Sequence, residues 1–243
     1  MSTFACPNNV TECTNRKYYT QNMKKLIFAI LAAAAGMLTG CKEESGYNNI
    51  TLNTYKLDMR AGDEQKVEIT SGNPDDVRWR SENEFIATVD DGLISAQRIG
   101  QTRITANNAA VVVTVEGLSN LYDNPMDGLS WGMTQEQLYD KLGMPSTKDE
   151  KSMTYNMVSA INSLKTYSFV DNRLVSAAIT VTKDKTSQLD DYLNERYLLL
   201  NDDETRQDRD YINALTYSMA TLLVTRTSYD DNYWLVSYKQ IND

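Results

Sequence analysis

The sequence predicts two folded domains, an all-β sandwich followed by an α+β domain, and three observations carry that expectation. Residues 50–116 alternate apolar and polar side chains in short runs broken by turn residues. Beyond residue 131 the apolar spacing turns helical, then returns to alternating runs. Between them lies LSNLYDNPMDG (118–128), rich in Asn, Asp, Pro and Gly, which is the composition of a linker.

In the first domain Ile50 and Leu52 share a face, as do Leu57 and Met59. Gly62-Asp63 turns the chain into Val67 and Ile69, and SGNPDD (71–76) reads as a loop. Val77 and Trp79 alternate with Arg78 and Arg80. Asp-Gly within Asp90-Asp91-Gly92 predicts a hairpin, because both residues tolerate the positive φ of a tight turn. Asn107-Asn108 turns into AAVVVTVEG, a β-branched final strand. About seven short strands at this spacing indicate a sandwich.

These residues resemble the bacterial immunoglobulin-like domain, group 2. The matching stretches are Trp79-Arg80-Ser81-Glu82-Asn83, Ala87-Thr88-Val89-Asp90, Gly92-Leu93-Ile94-Ser95-Ala96 and Gly100 to Ala106, in that order. The opening ITLN and the closing VVVTVEG also fit, so the resemblance covers most of 48–117. The Asp90-Asp91-Gly92 turn is tighter than the family's. The resemblance implies a stalk or adhesive module without catalysis, with Trp79 in its core.

In the second domain (131–243) TQEQLYDKLG (134–143) sets Leu138 and Leu142 at helical spacing. Thr134 and Gln137 form a capping box, and Gly143 and Pro145 form a stop. Strand-like runs follow at 153–158, 164–170 and 173–181, then a second helix over 186–199. Further runs lie at 211–219, 221–229 and 233–241. QLYDKL (137–142) echoes QLDDYL (188–193), MTYNM (153–157) echoes LTYSM (215–219), and DNRLVS (171–176) echoes DNYWLVS (231–237). The expectation is a tandem α-β-β-β repeat with an acidic loop, NDDETRQDRD (201–210), inserted. The stretch 131–145 is similar to the helix start of small outer-membrane lipoproteins of the BamE type, which assist barrel assembly, and of β-lactamase-inhibitor-like modules. No functional residue is carried over from either.

The N-terminal stretch supplies an address. Lys24 and Lys25 precede an apolar run from Leu26 to Leu38, shorter than the roughly 20 residues that span a bilayer. Leu38-Thr39-Gly40-Cys41 follows. This resembles the bacterial lipoprotein signal and its lipobox, and the resemblance implies cleavage before Cys41 and acylation of that residue. Residues 23–40 are then the signal peptide and 41–49 a lipidated tether. Residues 1–22 are an upstream extension: translation begins at Met23, or they form a long n-region. Either reading removes Cys6 and Cys13 from the mature protein. Lys42-Glu43-Glu44 is similar to the tag that sends some lipoproteins to the outer face of the outer membrane, with the periplasmic face as the alternative.

Composition narrows the chemistry. The 243 residues hold 24 basic and 33 acidic side chains, a net charge of −9, which argues against nucleic-acid binding. Removing residues 1–40 takes away four of the basic residues and one of the acidic, leaving the mature chain at −12. There is no histidine, so His-based triads and His-ligated metal sites are excluded. Gly128-Leu129-Ser130-Trp131-Gly132 matches the Gly-x-Ser-x-Gly nucleophile elbow, but a linker precedes it and no His base exists. Asp202, Asp203, Glu204, Asp208 and Asp210 read as a solvated loop rather than a calcium site, since the alternating ligands and turn glycine are missing. Tyr192, Tyr197, Tyr211, Tyr217, Tyr229, Tyr233 and Tyr238 crowd the second half with Trp234. Tyr233 and Trp234, expected exposed after Asp230-Asp231-Asn232, are the candidate ligand contacts.

The expectation is therefore a non-enzymatic lipoprotein of the outer membrane, anchored through Cys41 and without cofactor or metal, presenting a module that binds glycan or protein. The alternative is a periplasm-facing accessory in outer-membrane assembly or inhibition.

Overall fold

A computed structural model describes residues 49–203, 205 and 207–241. The upstream extension, the signal peptide and lipobox, Cys41, Lys42-Glu43-Glu44 and all but the last residue of the tether lie outside the described residues, as does Glu204. The chain is mostly β, in several sheets.

In the first lobe (50–117) nine strands form three sheets. β1 (Thr51–Leu52) pairs with β4 (Ile69–Ser71). A four-stranded sheet runs in the order β2 (Lys56–Arg60), β9 (Ala109–Glu116), β8 (Gly100–Ala106), β5 (Trp79–Ser81), with β2 and β9 parallel. A three-stranded sheet runs β3 (Glu64–Lys66), β7 (Leu93–Ala96), β6 (Ala87–Asp90). Alternation explains the shared core: Leu57 and Met59, Ile104, Val111, Val113 and Val115 from the larger sheet meet Ala87, Ile94 and Ala96 from the smaller. Trp79 packs half-buried at the edge of this core. The run expected through Val67 and Ile69 is broken: β3 ends at Lys66, buried Val67 donates its N–H to Gly92 O, and β4 begins at Ile69. Part of the expected SGNPDD loop is a 3-10 turn, Pro74–Asp76, capped by Asn73.

The β6–β7 turn is the two-residue Asp91-Gly92, with φ of 46° and 77°, as the sequence predicts. A Cβ on Gly92 would lie 2.7 Å from Val67 O and 3.0 Å from the Trp79 ring. Gly92→Ala therefore combines a left-handed φ with a backbone clash and should destabilise by about 1 kcal/mol or more. A lower denaturant midpoint would register this; an unchanged one would refute it.

The second lobe is built on one eight-stranded antiparallel sheet. Its first half is α1 (Gln135–Leu142) followed by β10 (Thr147–Lys148), β11 (Ser152–Asn156), β12 (Leu164–Val170) and β13 (Arg173–Thr182). Its second half is α2 (Thr186–Asn194) followed by β14 (Leu198–Asp203), β15 (Asp208–Ile212), β16 (Leu222–Ser228) and β17 (Tyr233–Gln240). The order β10-β11-β12-β13-β17-β16-β15-β14 mirrors the halves about the central β13–β17 pair. The Thr134–Gln137 capping box forms, and Gly143 closes α1 at a φ of 80°. Two sequence echoes occupy matching places: QLYDKL in α1 and QLDDYL in α2, and Asp171-Asn172 and Asp231-Asn232 at the turns into β13 and β17. The third does not, because MTYNM overlaps β11 whereas LTYSM falls in a turn with a 3-10 segment, Tyr217–Met219.

Four expectations need correction. Each half carries four strands, not three. The second helix ends at Asn194 rather than 199, because Leu198 and Leu199 pair with Ile212 and Tyr211 across the sheet. The inserted loop is a hairpin, since Asn201–Asp203 and Asp208–Asp210 are paired strands. Finally, 118–130 is not a free linker: Tyr122 is buried among α2 and sheet residues, and the Tyr167 hydroxyl donates to Pro125 O at 2.8 Å.

Both helices cover one face of the sheet. Leu138 of α1 packs with Met153, Tyr167, Phe169, Leu174 and Ala177. Leu189, Tyr192 and Leu193 of α2 pack with Ile179, Val181, Tyr211, Val224, Val236 and Tyr238.

Candidate binding surface

Strand alternation leaves the other face of this sheet without helices. Across it runs one cross-strand row, Thr154, Thr166, Ala178, Ser237, Thr225 and Asp210, each facing the next in register. The Thr154 and Thr166 hydroxyls are 3.1 Å apart, and Thr225 donates to Asp210 Oδ1 at 2.8 Å. A neighbouring row continues Ser152, Ser168 and Ser176. On the five strands β11, β12, β13, β17 and β16 Ser and Thr make up about half of this face, and Leu164, Val170, Leu223, Leu235 and Tyr233 also lie on it. The charged ones are Arg173 and Lys239, both toward one end, while Asp208 and Asp210 sit on β15 near the far edge. An acidic protein has thus kept a broad sheet face nearly free of charge.

The two candidate contacts separate here. Tyr233 opens β17 on the helix-free face opposite Thr182. Trp234 is not exposed: only 7% accessible, it packs in the helix-side core. Its indole N–H donates to Thr186 Oγ1 at 2.8 Å, and its ring carries Arg226 at 4.4 Å and Lys183 at 4.8 Å. Adjacent strand residues point to opposite faces, so the pair could not both face solvent. Of the other crowded tyrosines, Tyr192, Tyr197, Tyr211 and Tyr238 are buried, whereas Tyr217 and Tyr229 are exposed.

The buried tyrosines form a belt under α2. The Tyr122 and Tyr238 hydroxyls are 2.7 Å apart, Tyr122 stacks on Tyr192 at 4.4 Å, and Tyr197 meets Tyr238 edge-on at 6.3 Å. Burial pushes the Tyr122 and Tyr238 hydroxyls well above the ordinary tyrosine value, and Tyr167 up to about 12. Beside the belt, Asp190 of α2 faces two cations: Arg209 of β15 at 2.8 Å and Arg226 of β16. Asp202 holds the other side of Arg209 at 2.9 Å. The acidic residues read as a solvated loop are in part structural, and among the described residues no three Cys, Asp or Glu side chains converge to hold a metal ion. Ser130 is exposed in a turn, and no strand lies within 117–134 to form an elbow.

The junction of the lobes was not visible in the sequence. Glu195, just past α2, gives its carbonyl to Ile99 N at 2.8 Å and its carboxylate to Ser119 N at 3.1 Å. Arg196 donates to Ser119 O at 3.0 Å and lies 3.7 Å over the Tyr192 ring. A shallow cleft of about 700 Å³ opens beside these bonds, lined by Ala61, Leu118, Ile161, Gln188 and Asp191 among others. Nothing local marks Glu195, since its partners are far away in sequence. Compared with known proteins, the chain matches no family model and no curated protein.

Proposed function

We propose that this protein is a non-enzymatic, lipid-anchored component of the bacterial envelope, displayed on the outer face of the outer membrane. Its first lobe is an immunoglobulin-like spacer and its second lobe a duplicated α+β binding module. The observation that carries the binding role is the helix-free sheet face, broad and nearly uncharged on a protein of net charge −9. Interface centres are likewise depleted in charge, whereas surfaces that serve only solubility accumulate it. Three sheets sharing one core support the immunoglobulin-like reading, and the mirrored strand order supports duplication. Cys41 carries the anchor, Leu38-Thr39-Gly40 direct its processing, and Lys42-Glu43-Glu44 direct export to the surface.

Cys41→Ser should abolish palmitate labelling and move the protein out of the membrane fraction, because acyl chains supply the whole attachment on this reading. Persistence of both label and attachment would refute it. Protease treatment of intact cells should degrade the wild-type chain; full protection would place it on the periplasmic face.

A further inference from the structure

We infer that the ligand of the open sheet face is a neutral, extended glycan chain lying across the strands; this rests on the reading of that face as the binding surface. The first argument is geometric. The six positions of the Thr154-to-Asp210 row occupy six adjacent strands. At the spacing of neighbouring strands they cover about 24 Å. One strand step is close to the length of one pyranose unit in an extended β-1,4-linked chain, so successive sugars meet successive side chains. The Ser152, Ser168 and Ser176 row lies two residues further along the strands, about 7 Å away. Over these three strands two hydroxyl rows can then address both edges of a sugar ring, before the second row continues as Lys239 and Leu223.

The second argument is chemical. Ser and Thr hydroxyls both donate and accept hydrogen bonds, which matches the mixed donor and acceptor pattern of a polyol. Ala178 in mid-row provides a flat apolar step on which the C–H face of a ring can rest. Tyr233 stands on the same face, opposite Thr182, where an aromatic ring can stack on a sugar.

The third argument is exclusion. A second copy would bring another strongly acidic chain against this one. A protein partner needs large anchors at the centre of its interface, and the central row offers none. Net negative charge also disfavours uronic-acid or sulfated chains.

The test is binding of the full chain to immobilised hexasaccharides, with cellohexaose, β-1,4-mannohexaose and xylohexaose as the neutral extended probes. Maltohexaose serves as the curled neutral control and oligogalacturonate as the anionic one. At least one extended neutral probe should bind, with the two controls weaker by on the order of ten-fold. Ser237→Arg, which puts charge and bulk into the row, should weaken that binding by on the order of ten-fold or more. Thr166→Val, which removes one hydroxyl at constant size, should weaken it less, and exposed Arg78→Ala in the first lobe should leave it unchanged. Circular dichroism of each variant establishes that it is folded. Failure of all three extended probes, or binding indifferent to both row variants, would overturn the inference. A purified envelope protein that binds instead, and is blocked by Ser237→Arg, would overturn the glycan assignment alone and leave the sheet face as the binding surface.

Discussion

Replacing Asp190 by alanine is expected to lower the unfolding free energy by about 3–5 kcal/mol, the cost of stranding a buried cation. Arg226 retains only 5% of its accessible surface and faces the Asp190 carboxylate from β16. An exposed ion pair would contribute about 1 kcal/mol or less. The difference here is desolvation: without Asp190, Arg226 stays out of water against the Trp234 ring, with its nearest counter-charge gone. Arg209 suffers less, because Asp202 still holds it at 2.9 Å. The same carboxylate ties α2 to two strands, so the loss should appear as a lower urea midpoint, read by fluorescence of the nearby Trp234. Asp190→Leu combined with Arg226→Met should recover most of the loss, since removing both charges removes the desolvation cost. A single-variant change below about 1 kcal/mol would show that the pair behaves as a surface pair.

The sequence was most legible where a local steric rule decides the outcome. Asp91-Gly92 forms its turn with positive φ, and the Thr134 capping box sits where its four-residue pattern places it. It was least legible where distant residues decide. Leu198, Leu199 and Leu200 favour a helix by propensity, yet pairing with Tyr211 and Ile212 ends α2 early and makes them an edge strand. Composition marked 118–130 as a linker, but composition does not register that Tyr122 has a hydroxyl partner 116 residues away in Tyr238.

The burial of Trp234 has a local signal in the sequence. In YWLVSYKQ the phase Trp234, Val236, Tyr238 is apolar throughout, whereas Tyr233, Leu235, Ser237, Lys239 is mixed, and the first phase is the buried one. The preceding Asp230-Asp231-Asn232 marks the turn but not which phase of the strand is buried. The charge-poor face was legible only in part. Each strand shows its own Ser and Thr, but the row exists only once the register is known.

Alkaline conditions are expected to unfold the protein cooperatively above about pH 10, and the tyrosine belt is the cause. Tyr122, Tyr192, Tyr197, Tyr211 and Tyr238 are all held above their ordinary value by burial, and Tyr167 is held at about 12. In the unfolded chain each would ionise near pH 10. A folded pKa raised above the unfolded one means the unfolded state loses its protons first. The stabilisation is then complete below about pH 10 and is lost as pH climbs through the folded values, about 12 for Tyr167, with Tyr122 and Tyr238 also held well above the ordinary value by burial. Each proton retained only in the folded state steepens the loss by about 1.4 kcal/mol per pH unit, so the slopes of the buried tyrosines add. With no histidine in the chain, no imidazole adds a slope near neutrality, and urea midpoints should change little until the tyrosine range is reached. Tyrosinate absorbance should lag the ordinary titration and then rise together with loss of circular dichroism. Tyr238→Phe should make the alkaline fall shallower by removing one of the shifted protons. Ionisation of every tyrosine near pH 10 with the fold intact would sink this account, because it would require the Tyr122 and Tyr238 hydroxyls to reach water without unfolding.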